Sequence, residues 1–282
     1  MSDCYYTIDT EARRSVPLAK RAWYQVIFEH ALMRRLLIVL ALLLVWQVYA
    51  TILDNSLLVP TAWETFLSLK DNFIHGPLLS RTLTSIQILL MGYALGIFLG
   101  GLLTALALSS RIGREIQATL VAMFNPLPAI ALLPLAMLWF GLGTSSLLFV
   151  LAHSVMWTFG LNVLNGFDGV PNSLRMVGRN YDLRGLRYVW FILIPAAFPS
   201  LLTGLRVSWA FAWRTLIAAE LVFGVSAGSG GLGWFIYENK NLLEIPSVFA
   251  GLSTVIIIGL GIEYLIFRWI ERHTVQNWGM SP

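Results

Sequence analysis

The stretch DGVPNSLRMVGRNYDLRGLRYVWFILIPAAFPSLLTGLRVSWAFAWRTLIAAELVFG, residues 168–224, joins a polar, arginine-bearing segment to an apolar one long enough to cross a bilayer. Its first half carries Arg175, Arg179, Arg184 and Arg187 among leucines, with Pro171, Asn172 and Ser173 ahead of them as a helix-start signal. The second half begins at Pro195-Ala196-Ala197 and holds Arg206 and Arg214 in otherwise apolar sequence. A basic helical loop feeding a span with charge inside the membrane predicts a protein worked from the cytoplasm that moves a solute across.

The composition agrees. Hydrophobic residues make up 57% of the chain and charged residues 12%, and the mean hydropathy is +0.72. A soluble domain has about 45–50% apolar and about 25% charged residues, so the chain reads as a polytopic membrane protein. Its 282 residues leave little room for a separate soluble domain. Cys4 is the only cysteine, which excludes an intrachain disulfide and a cysteine metal cluster.

Outward from that stretch, residues 1–35 form a polar N-terminal tail, too long and mixed for the basic region of a cleaved signal. Leu36 to Leu53 is uncharged and long enough for a first span of about 30 Å at about 1.5 Å per residue. Pro60 to Phe73 reads as a short amphipathic helix on the outer surface. Thr82 to Leu108 is a second span, whose Gly92, Gly96, Gly100 and Gly101 follow small-xxx-small spacing and predict close helix packing. Ile116 to Phe140 is a third span, interrupted by Asn125-Pro126-Leu127-Pro128 and by Pro134. Each proline removes a backbone donor and frees a carbonyl a turn earlier. Such breaks are tolerated at depth only against protein or a water-filled cavity, so this one is a candidate pathway element. Gly141-Leu142-Gly143 makes an outer turn, and Leu147 to Leu164 is a fourth span containing His153. The fifth span follows Pro195, residues 225–246 form an outer loop, and Val248 to Ile270 is the sixth span. The expected organisation is a tail at 1–35, a permease domain at 36–272 with its coupling segment at 168–190, and a tail at 273–282.

Lys and Arg counting sets the orientation. One side collects Arg13, Arg14, Lys20, Arg21, Arg34 and Arg35, then Arg111 and Arg114, the four loop arginines, and Arg268 and Arg272. The other side has Lys70, Arg81 and Lys240. Both termini are therefore expected in the cytoplasm, and the basic character serves topology rather than nucleic acid.

No pattern points to an enzyme. GSGGLG at 228–233 matches G-x-G-x-x-G literally, but a membrane span precedes it where a dinucleotide site needs a strand; it reads as a re-entrant outer turn. No phosphate-binding GxxxxGK[ST], nucleophile elbow or Cys/His ligand spacing is present. The candidates lie in the spans. Arg206, Trp209, Trp213 and Glu220 fall near one helical stripe with Arg214 beside it. A charge at mid-span costs at least about 2.5–3.5 kcal/mol and so faces a partner or a wet cavity. For Arg214 both remain open: pairing with Glu220 or another helix, or attracting an anionic solute. Asn125, His153, Trp157, Trp209, Trp213, Arg214 and Glu220 are the pathway candidates. In the loop, Leu174, Val177 and Tyr181, then Leu183, Leu186, Val189 and Trp190, make apolar stripes suited to docking in a partner's groove; positive-inside topology alone would also explain the arginines.

This segment resembles the permease subunits of bacterial binding-protein-dependent ABC importers, marked by the motif E-A-A-x3-G-x9-I-x-L-P. Pro195 takes the final proline and Ile192 the isoleucine, while Ile194 stands at the leucine. Met176 replaces the glutamate, Val177 and Gly178 the alanines, and Asp182 the glycine. PAAFPSLLTGLRVSWAFAWRTLIAAEL, NPLPAIALLPLAMLWFGLG and GGLGWFIY are similar to the branch that imports nitrate, taurine and aliphatic sulfonates, and the likeness runs over roughly residues 80–272. The resemblance implies an all-α membrane protein of six transmembrane helices with a cytoplasmic coupling helix between the fourth and fifth. It implies a homodimer in the inner membrane, two ABC ATPase subunits and a periplasmic solute-binding protein. ATP and Mg would sit in the ATPases, with no cofactor or metal on this chain. Arg175, Met176, Val177, Gly178, Arg179, Asp182, Leu183 and Arg184 would then contact the ATPase. The competing expectations are a self-contained secondary transporter, which would need inverted repeats or coupling carboxylates, and a non-transporting scaffold.

Overall fold

A computed structural model describes residues 31–108, 110–223 and 230–276, and every regular element among them is helical. The N-terminal tail up to residue 30, Gly228 and Ser229 of the GSGGLG turn, and residues 277–282 of the C-terminal tail lie outside the described residues. The chain divides into two compact units, 1–54 and 55–282. The described part of the first is one helix, α1 (Ala31–Leu53), apolar on all faces beyond Arg34 and Arg35. An apolar helix of this length with no polar side suits a lipid-embedded span.

The second unit holds α2 (Ala62–Ile74), α3 (Leu78–Leu108), α4 (Arg111–Phe124), a 3-10 turn (Ala129–Leu132) entering α5 (Leu133–Phe140), and α6 (Thr144–Asp168). Then come α7 (Asn172–Asn180), α8 (Gly185–Tyr188), α9 (Ile194–Phe223), α10 (Leu232–Asn241), α11 (Ile245–Gly261) and α12 (Arg268–Glu271). Wider π-turns at Val189–Leu193 and Ile262–Phe267 join α8 to α9 and α11 to α12. Among the described residues five helical runs are long and apolar enough to cross a membrane, and the pair α4 and α5, bent by 87°, makes a sixth if counted as one span.

The third predicted span is thus two helices at a right angle. Pro126 and Pro128 cannot donate, so α4 ends where the Asn125 amide reaches the Val121 carbonyl, and the chain restarts only after Pro128. The predicted outer loop also differs, because Leu232–Asn241 is helical, with Leu232, Phe235 and Ile236 buried. Glycine explains it: a Cβ on Gly233 would lie 2.6 Å from the Ile217 carbonyl, so only glycine lets α10 wedge against α9.

α3, α6 and α9 form the core. Gly92 and Gly96 place α3 so close to α6 that a Cβ would come within 2.6 Å of Leu151 and 2.5 Å of Val155. In lipid no solvent drives helices together, so this contact area and the dispersion it gains hold the pair. α9 packs on the far side of α6, with Gly204 against Asn162 and Gly166 against Ser200. Polar clasps tie the ends. Arg114 pairs with Asp168 at 2.9 Å, and Arg206 pairs with Glu263 and, at 3.6 Å, with Glu271. At the opposite end Arg81 reaches Glu238 at 3.5 Å, and Ser68 meets Ser247 at 3.0 Å between α2 and α11.

Candidate functional site

The break between α4 and α5 opens a cavity of about 320 Å³. One side is lined by Phe124, Asn125 and residues 126–130. α6 contributes His153 and Ser154, then Trp157 and Thr158 one turn later; α9 contributes Phe211, Arg214, Thr215 and Ala218. The α9 residues follow i, i+3, i+4, i+7 spacing, which is one face of a helix. Among the described residues the cavity has one charged side chain, Arg214, and no carboxylate.

Arg214 is held but not neutralised. Its Nε donates to the Ala210 carbonyl at 3.1 Å, and the guanidinium lies 4.7 Å from the centre of the Phe211 ring. Among the described residues it makes no ion pair. The other donors of the fork remain available, and a planar guanidinium suits an oxyanion. The opposite wall is aromatic: Phe124 and Trp157 stack with centroids 5.1 Å apart and planes 14° apart, and His153 meets both edge-on at 6.1 Å. Among the described residues neither nitrogen of His153, nor Nε1 of Trp157, has a hydrogen-bond partner. Hydroxyls line the rest, with Thr158 donating to Asn125 at 3.3 Å and Ser154 lying 3.4 Å from Thr215.

The structure therefore brings Asn125, His153, Trp157 and Arg214 together. It places Trp209, Trp213 and Glu220 elsewhere. Trp209 packs edge-on to Tyr93 at 5.1 Å in an apolar cleft between α3 and α11. Trp213 is buried in the core cluster. Glu220 accepts from Ser85 at 2.7 Å and from the Gly233 amide at 2.8 Å, which caps the first turn of α10. Phe211, Thr215, Ser154 and Thr158 are cavity residues that sequence reasoning passed over. The signal was available in part: they stand on the helical neighbours of Arg214, His153 and Trp157.

The loop after α6 is built as follows. α7 ends in a Schellman turn, with the Leu183 amide on the Gly178 carbonyl at 2.9 Å and the Asp182 amide on the Arg179 carbonyl at 3.0 Å. Such a turn needs a left-handed residue after the cap, and Asp182 supplies it with φ +50°. Asp182 also pairs with Arg184 at 2.7 Å on the open surface. Gly178 is buried, and a Cβ there would lie 2.7 Å from the Tyr188 ring. Arg175 faces inward: its Nη2 and Nε donate to the carbonyls of Phe167 at 2.6 Å and Val170 at 3.1 Å, tying α7 to the end of α6. Met176, Val177 and Tyr181 remain exposed, while Leu183 is half-buried. Among the described residues no cluster of His, Cys, Asp and Glu could hold a metal ion.

Comparison with known proteins fits this architecture. Residues 92–276 match the family described as the binding-protein-dependent transport system inner membrane component. The chain is 28% identical over 269 residues to a putative aliphatic sulfonates transport permease protein of Bacillus subtilis, covering 95% of this chain and 93% of that protein. It is 30% identical over 241 residues to the taurine transport system permease protein of Escherichia coli, covering 82% and 84%. It is 27% identical over 247 residues to the nitrate import permease protein of Synechococcus elongatus, covering 82% and 85%.

Proposed function

This chain belongs to the inner membrane components of binding-protein-dependent transport systems, and we propose that Arg214 and the cavity around it form its path for a small anionic solute. Membership makes the chain a multi-pass permease subunit of an ATP-driven ABC importer of the inner membrane, not an enzyme. ATPase subunits and a solute-binding protein are its working partners. It speaks against a self-contained secondary transporter.

In the proposed reading two copies associate so that their cavities face one translocation path, and both termini lie in the cytoplasm. A periplasmic binding protein delivers the solute. The relatives are named for aliphatic sulfonates, taurine and nitrate, and a solute of that anionic kind complements the unpaired guanidinium. The segment 168–190 is the contact for the ATPases, with Met176, Val177, Arg179, Asp182 and Arg184 among its exposed residues and Arg175, Gly178 and Leu183 shaping it from within. ATP binding, with Mg, would draw two ATPase subunits together. Because α7 is tied to α6 and α8 runs into α9, that motion would turn the cavity-lining helices between inward-open and outward-open states.

The carrying observation is the convergence on one cavity of an unpaired arginine and a helix break. The test is uptake into vesicles carrying the complete complex. Arg214→Gln removes charge-assisted hydrogen bonds of about 1.5–3 kcal/mol, so uptake of the anion falls about ten-fold or more while the ATPase subunits still co-purify. Uptake at the wild-type rate overturns the reading.

A further inference from the structure

Resting on that reading, we infer that the cavity is shaped for an organic anion with an apolar, planar body rather than for a small inorganic oxyanion. The size of the cavity is the first ground. At about 320 Å³ it falls within the range of about 300–1,000 Å³ typical of sites for small organic molecules. An ion as small as nitrate in contact with Arg214 would leave most of that volume, and the aromatic wall, unused.

The second ground is the distribution of chemistry. Charge is confined to one point, the guanidinium on α9, and it is steadied by the ring of Phe211 at 4.7 Å. The α4–α6 side presents the near-parallel Phe124–Trp157 pair, with His153 on edge to both. A path for inorganic anions would be expected to distribute donors around the ion, because a small anion exchanges a whole hydration shell. Here one pole holds the head group, while Phe124, Trp157 and His153 among the lining residues offer aromatic contact to a body. Stacking on such a surface is tolerant of what the body is, provided it is flat and apolar. The hydroxyls of Ser154 and Thr215 lie among the cavity's lining residues, 3.4 Å from one another, and can donate to the head group without a competing negative charge.

A binding-protein-free titration separates this from delivery. The purified permease–ATPase complex is titrated with benzenesulfonate, methanesulfonate and nitrate, reading tryptophan fluorescence against a Trp157→Phe control and confirming affinities by calorimetry. Burial of a phenyl-sized apolar body predicts at least about ten-fold tighter binding of benzenesulfonate than of methanesulfonate, which carries the same head group. Phe211→Ala and Phe124→Ala should shrink that ratio, and Arg214→Gln should weaken both sulfonates. Phe211 is exposed, so its truncation should leave the fold intact, and co-purifying ATPase reports assembly.

Equal affinities for the two sulfonates, both lost in Arg214→Gln, overturn the apolar-body inference and leave the anion path standing. Benzenesulfonate binding that is indifferent to Arg214 and Phe211, or no binding at all, also overturns the inference. The path itself falls only if vesicle uptake is indifferent to Arg214.

Discussion

The hydroxyl of Ser85 on α3 lies 2.7 and 2.8 Å from the two carboxylate oxygens of Glu220 on α9. The same hydroxyl accepts from the Leu232 amide at 2.7 Å, and Glu220 from the Gly233 amide at 2.8 Å. Two spans and the start of α10 therefore meet on one buried carboxylate, and a Cβ on Gly231 would come within 2.0 Å of it. Glu220 holds a joint in the fold, away from the cavity.

Glu220→Ala should accordingly destabilise the complex. It leaves the Gly233 amide and the Ser85 hydroxyl short of a partner, at about 1–3 kcal/mol for each orphaned buried group. Glu220→Gln keeps an acceptor and should cost less. Thermal unfolding of the purified complex decides it, and an Ala variant as stable as wild type would refute the joint.

Arg175→Ala should loosen α7 from α6, because the Phe167 and Val170 carbonyls lose their donors. On the proposed docking, ATP hydrolysis continues while uptake falls, and the ATPase subunits still co-purify. Uptake that keeps pace with hydrolysis in this variant would separate α7 from coupling.

Asp182 makes a sharper test because its conformation predicts opposite outcomes for two substitutions. A left-handed residue costs an ordinary side chain about 1–2 kcal/mol, least for Gly, Asn and Asp. The pair with Arg184 is exposed at both ends and worth about 0–1 kcal/mol. Asp182→Gly should therefore be tolerated or slightly stabilising, whereas the β-branched Asp182→Val should break the Schellman turn and uncouple transport. Coupling ratios and melting of the two variants side by side would show it; equal behaviour would contradict the turn.

Gly96→Val should force α3 off α6, since even its Cβ would lie 2.5 Å from Val155 Cβ. Overpacking of this kind costs about 1–3 kcal/mol or more. Gly101, whose nearest neighbour would be 3.9 Å from a Cβ, should accept alanine with little effect. Detergent stability of the two variants checks the pair, and a Gly96 variant as stable as the Gly101 variant would refute close packing as the reason for the spacing.

Hydropathy alone located the long spans to within a few residues, since crossing a bilayer demands a run of apolar sequence whatever surrounds it. The proline pairs located the break, and the small-residue spacing located the α3–α6 contact, because both are local backbone constraints. Side-chain direction was another matter. α9 is apolar on nearly every face, so its sequence has no polar side to show how it is rotated, and one stripe carried Trp209, Trp213 and Glu220 as readily as a neighbouring one carried Arg214. Only packing against α3, α6 and α10 sets that rotation, sending Glu220 to Ser85 and Arg214 to the cavity. The helix inside the glycine-rich outer loop and the 87° turn at Pro126–Pro128 were decided the same way. Each depends on what lies across the gap, and no stretch of sequence states its own neighbours.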